Sequence, residues 1–484
     1  MKKITFIVLF SVITNILHAQ KHLDSLDARK DFEVFENILK NGHPSLYEYI
    51  KQDSLDYLFE ETKNSITNNI SDIDLYKKML KITDQVRDGH LLLFAPNTIK
   101  TEQYYFPLIL KIINTSFYTD TDDFGIPIGS KITKINDHET FKIIESLKKY
   151  TATDGHNLTR KYRDIELKFG LFYAYEYGLT KQFKIEYTEP DGTKKSIDLK
   201  AEPFVIVKLR NTKRNSYFAK FHQQKNGFDF FNEFINTKDP FVYYKEEIST
   251  AVLVVNSFGI DIRRFKSNLV KIFKELKKKK IKHLIIDIRN NDGGFRPNSV
   301  HLYSFIAKKP FKQIVSEYSI SLSVPEKEYA TRTFLNEKQF LTDKFNNHPV
   351  YDGWKLTFDD LEAIMVPDQN RFKGKVYVLT GGATFSAAST FALNAKNDDD
   401  TMLVGEETGG GYYFFNGQFP VYYELPNSKI VMVMSMVKVE NYIKDKTVPV
   451  GSGVPPDKYI NLSLEDLIEG KDPLLDYIFR LIQG

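Results

Sequence analysis

Two residue types that hydrolysis needs stand beside apolar runs in this chain: a serine in "GGATFSAAST" and a histidine in "DQVRDGHLLLF". Ser386 follows the run "VYVLT" and the pair Gly381-Gly382, and its neighbours Ala387 and Ala388 leave room around the hydroxyl. A serine hydroxyl becomes a nucleophile at neutral pH only beside a base. His90, set between Gly89 and an apolar run, can serve as that base. An oxyanion site needs backbone N–H groups aimed into a cleft. "IIDIRNNDGGF" offers Gly293 and Gly294 after a buried strand, and the Ala387 N–H, at the start of a helix, offers another donor. Each piece also has a plain structural reading. Ser386 can cap a helix, with Ser389 as a competing hydroxyl, the glycine pair can be an ordinary strand-to-helix turn, and His90 can be a packed histidine.

Other chemistries find less support. The chain has no cysteine, so it has no thiol nucleophile, no disulfide and no cysteine for a lipid anchor. "VGEETGGGYYFF" carries Gly409, Gly410 and Gly411 but no following Lys-Ser/Thr, so it is not a phosphate loop. No H-E-x-x-H or similar paired ligand spacing occurs, and no metal or other cofactor is expected. The G-x-S-x-G elbow of α/β-hydrolases is missing too. A net charge of +4 over 484 residues does not argue for nucleic acid as a partner. The basic run "KELKKKKIKH" reads as the solvated end of a helix, while His43 and His348 precede prolines and read as turn residues.

The elements that must position these residues follow from the apolar pattern. Residues 1–20 have Lys2 and Lys3, an apolar run and a short polar tail, the layout of a signal peptide cleaved after Ala19 or Gln20. The mature chain is then expected to be exported, periplasmic or secreted from a bacterium, and not membrane-spanning. Residues 21–95 show helical spacing in "DFEVFENILK" and "DIDLYKKMLKITDQV". Residues 96–200 are richer in strands, including "FKIEYTEPDGTKKSIDLKA" with a Pro-Asp-Gly turn. Residues 201–249 form an aromatic and basic connecting segment. From residue 250 to 484 short apolar runs alternate with helical stretches, the pattern of an α/β core whose strands are buried on both faces. The tail "SLEDLIEGKDPLLDYIFRLI" reads as one amphipathic helix opened by Ser463.

In "GIPIGSKITKIN", Gly129, Ile132, Ile135 and Asn136 match the PDZ segment G-x-x-I-x-x-I-N-G, with Asp137 in place of the last glycine. PDZ domains hold a peptide by adding it as a strand to a sheet edge. "DGHLLL", "GSKITKIN", "IIDIRNNDGG", "VYVLTGGATFSAAS", "VGEETGGG" and "GVPPD" occur in one order. In that order they resemble the tail-specific or C-terminal processing family of serine peptidases, in particular its tricorn-core-like branch. The resemblance implies a multi-domain α/β chain with a crotonase-like catalytic core, an N-terminal helical cap and a PDZ-like module. It implies that Ser386 attacks a peptide carbonyl and that Gly293 or Gly294, with Ala387, stabilises the oxyanion. One branch of the family uses a lysine base, but Gly411 stands where that lysine would be, so the resemblance implies His90 as base. Two departures bear on how His90 is oriented. Gly89 replaces an expected serine, and Val450 replaces an expected carboxylate, which leaves Asp88 and Glu440 as substitutes. The expected function is an exported serine endopeptidase acting through an acyl-enzyme on unfolded or C-terminal peptide segments. The alternative is a non-catalytic protein that binds an apolar ligand or a peptide on the same scaffold.

Overall fold

The computed structural model describes residues 21–96, 103–216, 239–333, 337–358 and 364–484. The signal-like leader and the stretch "FAKFHQQKNGFDFFNEF" lie outside these residues. The helical spacing near the N-terminus yields α1 (Ser25–Gly42), α2 (Gln52–Asn64) and α3 (Asp72–Val86). Asp24 caps α1 and Ser71 caps α3, each side chain accepting a first-turn N–H. Phe32, Phe35 and Leu39 of α1 and Leu75, Met79, Ile82 and Val86 of α3 form the buried face. Helix α3 stops at Arg87, whose φ of 57° is left-handed. The next three residues carry His90 into a turn, and strand β1 (Leu92–Phe94) follows.

The strand-rich region forms a sheet of β2 (Leu110–Ile113), β3 (Ser116–Thr119), β4 (Lys131–Ile135), β5 (Gln182–Thr188) and β6 (Lys194–Lys200), in the order β6-β5-β4-β3-β2. The Pro-Asp-Gly sequence makes its hairpin: Thr188 pairs with Lys194, and Gly192 takes a φ of 89° that suits glycine. Helix α4 (Thr140–Leu147) follows β4, as the strand-turn-helix pattern of "KITKINDHETFKIIESL" leads one to expect. The long α5 (Thr159–Tyr177) was not read from the sequence. It buries Ile165, Phe169, Phe172 and Tyr173, and Phe169 meets Phe106 edge-on with ring centroids 4.9 Å apart.

The segment read as a connector ends in β7 (Phe241–Lys245), which pairs with the first of the strands formed by the apolar runs from residue 250: β8 (Thr250–Val254), β9 (His283–Asp287), β12 (Lys375–Thr380) and β13 (Thr401–Gly405). Between them, in chain order, come α6 (Ile262–Lys278), α7 (Arg296–Ser304), β10 (Ile314–Ser319) and β11 (Gly353–Thr357), with α8 (Ala387–Lys396) between β12 and β13. Helix α6 shows why the strands lie buried: Phe265, Leu269, Phe273 and Leu276 cover the sheet while its lysines face out. With β16 (Lys458–Tyr459) the sheet order is β7-β8-β9-β12-β13-β16, parallel apart from β7. Strands β9 and β12 are neighbours, so the turns that follow them open at the same edge of the sheet. That is where parallel α/β sheets build their sites.

A second sheet, not expected from the sequence, is built on β14 (Phe414–Glu424) and β15 (Val431–Asn441), with β10 and β11 on one side. Strand β1 pairs with β15, Leu92 opposite Val433, which fastens the His90 turn to the α/β part of the chain. One buried hydrophobic cluster accordingly contains side chains from α1, α3, β4, α5, β14 and β15. The C-terminal tail also differs from expectation. It forms two helices, α9 (Leu464–Glu469) and α10 (Pro473–Gln483). Gly470 ends the first at a φ of 62°, and Asp472 with Pro473 starts the second. Among the described residues, no helix is long and apolar enough to cross a membrane.

Candidate active site

Ser386 sits between β12 and α8 at φ 54° and ψ −125°, a conformation a non-glycine residue adopts only under constraint. The constraint is a set of hydrogen bonds from small polar residues. Thr384 Oγ1 donates to Ile288 O (2.8 Å), Phe385 N–H donates to Asn291 O (3.0 Å), and Ser389 Oγ donates to Thr384 O (3.0 Å). The Ser386 side chain makes no capping hydrogen bond, and Ser389 is buried, so neither plain reading of the hydroxyls describes this turn. Ser386 Oγ instead lies 3.0 Å from His90 Nε2, across 296 residues of sequence.

The His90 ring is stacked 4.6 Å from the Phe385 ring, and Phe415 approaches to 6.0 Å. The β14–β15 ribbon is bulged between Phe415 and Gln418, and a Cβ on Gly417 would lie 3.3 Å from His90 Nε2. Burial pushes the imidazole down to about 4; the charge of Asp88 opposes the fall and the Arg160 guanidinium adds to it. The ring is therefore neutral at pH 7, with a lone pair able to take a proton.

Asp88 holds a buried place beside it. Its Oδ1 accepts the His90 main-chain N–H (2.8 Å) and lies 4.0 Å from His90 Nδ1, an atom with no hydrogen-bond partner among the described residues. Burial pushes the Asp88 carboxyl up, but hydrogen bonding from His43 and the nearby imidazoles outweigh it, and it ends below the usual range. His43, taken from the sequence as a turn residue, is buried and lies 2.9 Å from Asp88 Oδ2 through its Nε2. Glu440 lies elsewhere: Lys355 Nζ (2.8 Å) and the Ser316 hydroxyl bond it, and no hydrogen bond joins it to His90 among the described residues. Val450 is 59% exposed in a turn and brings no carboxylate to the site.

The sequence reading missed Asp154. Its Oδ1 accepts the Gly89 N–H (2.7 Å) and its Oδ2 the Gly411 N–H (2.9 Å), so it bridges the His90 turn to the glycine-rich loop. Donor atoms of Asp88, His90 and Asp154 all lie within 4.8 Å of one another. Burial first, and the Asp88 charge second, push the Asp154 carboxyl up to about 7. The signal was a repeat: "DGH" occurs at residues 88–90 and again at 154–156. Gly89 has its own reason to be glycine, because a Cβ there would sit 2.6 Å from the Phe385 ring and 2.9 Å from Asp154 Oδ1. Asp154→Ala leaves two buried N–H groups unpaired, at roughly 1–3 kcal/mol each. Urea unfolding is expected to show a loss of about 2–6 kcal/mol, with His90 displaced as well.

Gly293 of the glycine pair packs against Ser386, whereas a Cβ on Gly294 would meet Phe258 and Gly259. Gly293 has φ 102°, and a Cβ built on it would lie 2.7 Å from Ser386 Cβ and 3.1 Å from Ala387 N. The Gly293 N–H is already given to Asn291 Oδ1 (2.9 Å). The amides of Gly294 and Ala387 have no acceptor among the described residues. Behind the turn, Arg289 is buried between Asp287 (2.7 Å) and Asp472 (2.8 Å), which ties the end of β9 to the first residue before α10.

Comparison with known proteins bears on the fold and on the class of enzyme. Residues 249–459 match the model of Peptidase family S41. No curated protein matches the chain. Among solved structures, mature CPAF is 13% identical, with 95% of this chain and 96% of that chain covered and a TM-score of 0.64. Mature CPAF complexed with lactacystin is 13% identical, with 95% and 98% covered and a TM-score of 0.62. At that identity the likeness is one of fold, a mixed α/β chain of several parts. The match to family S41 covers residues 249–459, the part of the chain that holds Ser386, and supports a serine-type peptidase.

Proposed function

We propose that Ser386 and His90 cleave peptide bonds through an acyl-enzyme, in an exported endopeptidase that acts on unfolded or C-terminal segments of protein chains. The observation that carries this reading is the 3.0 Å contact between Ser386 Oγ and His90 Nε2, made by a serine held in a strained turn and free of any capping bond. A non-catalytic binding protein has no use for that strain.

The steps follow from the atoms present. His90 Nε2 takes the hydroxyl proton as Ser386 Oγ bonds to the substrate carbonyl carbon. The carbonyl oxygen becomes an oxyanion, which the Ala387 N–H receives together with the Gly294 N–H, the Gly293 N–H being engaged with Asn291. The imidazolium then gives its proton to the leaving amine as the C–N bond breaks, and a water repeats the sequence to release the acid and restore Ser386. Asp88 steadies the imidazolium. Opposite charges 4.0 Å apart attract by about 4 kcal/mol at an effective dielectric of about 20. That is close to the ten-thousandfold, about 5.5 kcal/mol, lost with a triad aspartate.

The pH dependence carries a sign. Hydrolysis needs neutral His90, and its pKa near 4 keeps it neutral through the acidic range. Measured kcat/KM is expected to hold a plateau down to about pH 5 and fall only as pH drops through about 4. An acid limb near the ordinary histidine value would contradict the buried, unprotonated base.

The division of the chain fits capture followed by cleavage. Residues 21–95 form a helical cap, residues 96–200 a PDZ-like module and residues 201–249 a connector, while residues 250–484 supply a crotonase-like core. The cap and module guide the substrate to Ser386. The leader at residues 1–20, with Lys2 and Lys3 before its apolar run, supports export to the periplasm or beyond. The test is digestion of casein and of a peptide library by wild type and by Ser386→Ala. Internal cleavage products from the wild type alone support an endopeptidase; equal products from both would refute Ser386 as nucleophile.

A further inference from the structure

His43 has no place in the scheme so far, yet it is held more firmly than a turn residue needs. It is 1% exposed and both its ring nitrogens are engaged. Nδ1 accepts the Ser45 N–H (3.3 Å), so the ring proton lies on the other nitrogen, and Nε2 donates it to Asp88 Oδ2 (2.9 Å). Ser45 is fixed in turn, its Oγ accepting from Asn416 Nδ2 (2.6 Å). Asn416 lies in the bulge of β14, next to the Phe415 ring that flanks His90. Asp88 thus has one oxygen bound to His43 and the other bound to the His90 main chain and facing Nδ1 of the same residue.

We propose that His43 is a positioning residue for hydrolysis: by donating to Asp88 Oδ2 it holds Oδ1 against the Nδ1 side of His90. Ser386, His90, Asp88 and His43 then act in line, with His43 taking the place of the orienting groups missing at Gly89 and Val450. This rests on the assignment of Ser386 and His90 made above. Without His43, one oxygen of a buried carboxylate has no donor, and Asp88 can turn away from His90. The imidazole then loses the charge that raises its proton affinity. It still faces Arg160, which lowers it, and Asp154, which bridges the neighbouring turns.

Two substitutions separate donation from mere filling of space. His43→Asn keeps an acceptor for the Ser45 N–H but is too short to reach Asp88. His43→Gln carries its amide nitrogen to where Nε2 lies. In His43→Asn, kcat on a quenched fluorescent peptide is expected to fall about ten- to a hundredfold, as when partners one step from a reacting group are removed. KM should change little. The acid limb of kcat/KM should move to lower pH, because a His90 without the Asp88 charge binds its proton less tightly. His43→Gln should recover both the rate and the limb. Wild-type rate and limb in a folded His43→Asn would overturn the proposal, as would equal losses in both variants. If His43→Asn does not fold, the imidazole nitrogen-15 spectrum of the wild type decides: a proton on Nε2 of His43 supports the proposal, and a proton on Nδ1 overturns it. Ser386→Ala run alongside distinguishes the two failures, since turnover surviving in that variant removes the underlying assignment.

Discussion

Replacing Ser386 by alanine is expected to lower kcat by about 10⁴- to 10⁶-fold, His90→Ala to do nearly the same, and the double variant to be little worse than either. The non-additivity is the informative part. Once the hydroxyl is gone, no acyl-enzyme forms and a base beside it has nothing to deprotonate. Once the base is gone, the hydroxyl is too weak a nucleophile at neutral pH to exploit its position. The 3.0 Å contact between them makes one device of the two. KM should change little, because neither residue anchors the remoter parts of a peptide. Steady-state rates on one peptide for wild type, both single variants and the double variant give the full cycle. Two single losses that multiplied would mean independent roles, contrary to a shared proton.

Gly293→Ala is expected to be the second most damaging change, and for a different reason. The new methyl would lie 2.7 Å from Ser386 Cβ and 2.8 Å from Phe385 O, in the space that the proposed reaction assigns to the substrate carbonyl. It would also impose a side chain on a φ of 102°. A fall in kcat of about 10²- to 10³-fold is expected, the loss typical of a spoiled oxyanion site. Backbone strain of about 1–3 kcal/mol should appear in unfolding experiments. Gly178→Ala is the matched control. Its φ of 86° is also positive, but nothing lies within 4 Å of the added Cβ. It should be strained and fully active, whereas a Gly293→Ala enzyme with normal kcat would show that this turn does not face the reacting carbonyl.

What could be read without coordinates was whatever sits at the end of a continuous apolar run. Ser386, the Gly293-Gly294 turn and the four parallel strands around them were legible because strands buried on both faces leave unbroken hydrophobic stretches. His90 was legible as a histidine just ahead of such a run. The residues that tune it were not. His43 and Asp154 act across 45 and 65 residues of sequence, through single hydrogen bonds that leave no periodic trace. The Pro that follows His43 suggested a turn, and the turn exists, but burial against Asp88 gives the ring a second role. The second sheet was missed because its strand Phe414–Glu424 breaks the two-residue alternation at its bulge, with Phe419 at a φ of 54°. The C-terminal tail kept helical spacing on both sides of Gly470, so only the Gly-Lys-Asp-Pro sequence signalled the stop. Glu440 is the reverse case, a carboxylate near the motif in sequence but bonded in space to Lys355 and Ser316.

The most direct measurement is covalent. The folded protein, treated with a fluorophosphonate and digested for mass spectrometry, should carry the adduct on Ser386, and His90→Ala should slow its formation by several orders of magnitude. An unmodified Ser386 in folded protein, or equally rapid labelling without His90, would mean that the imidazole and the hydroxyl do not form a reactive pair.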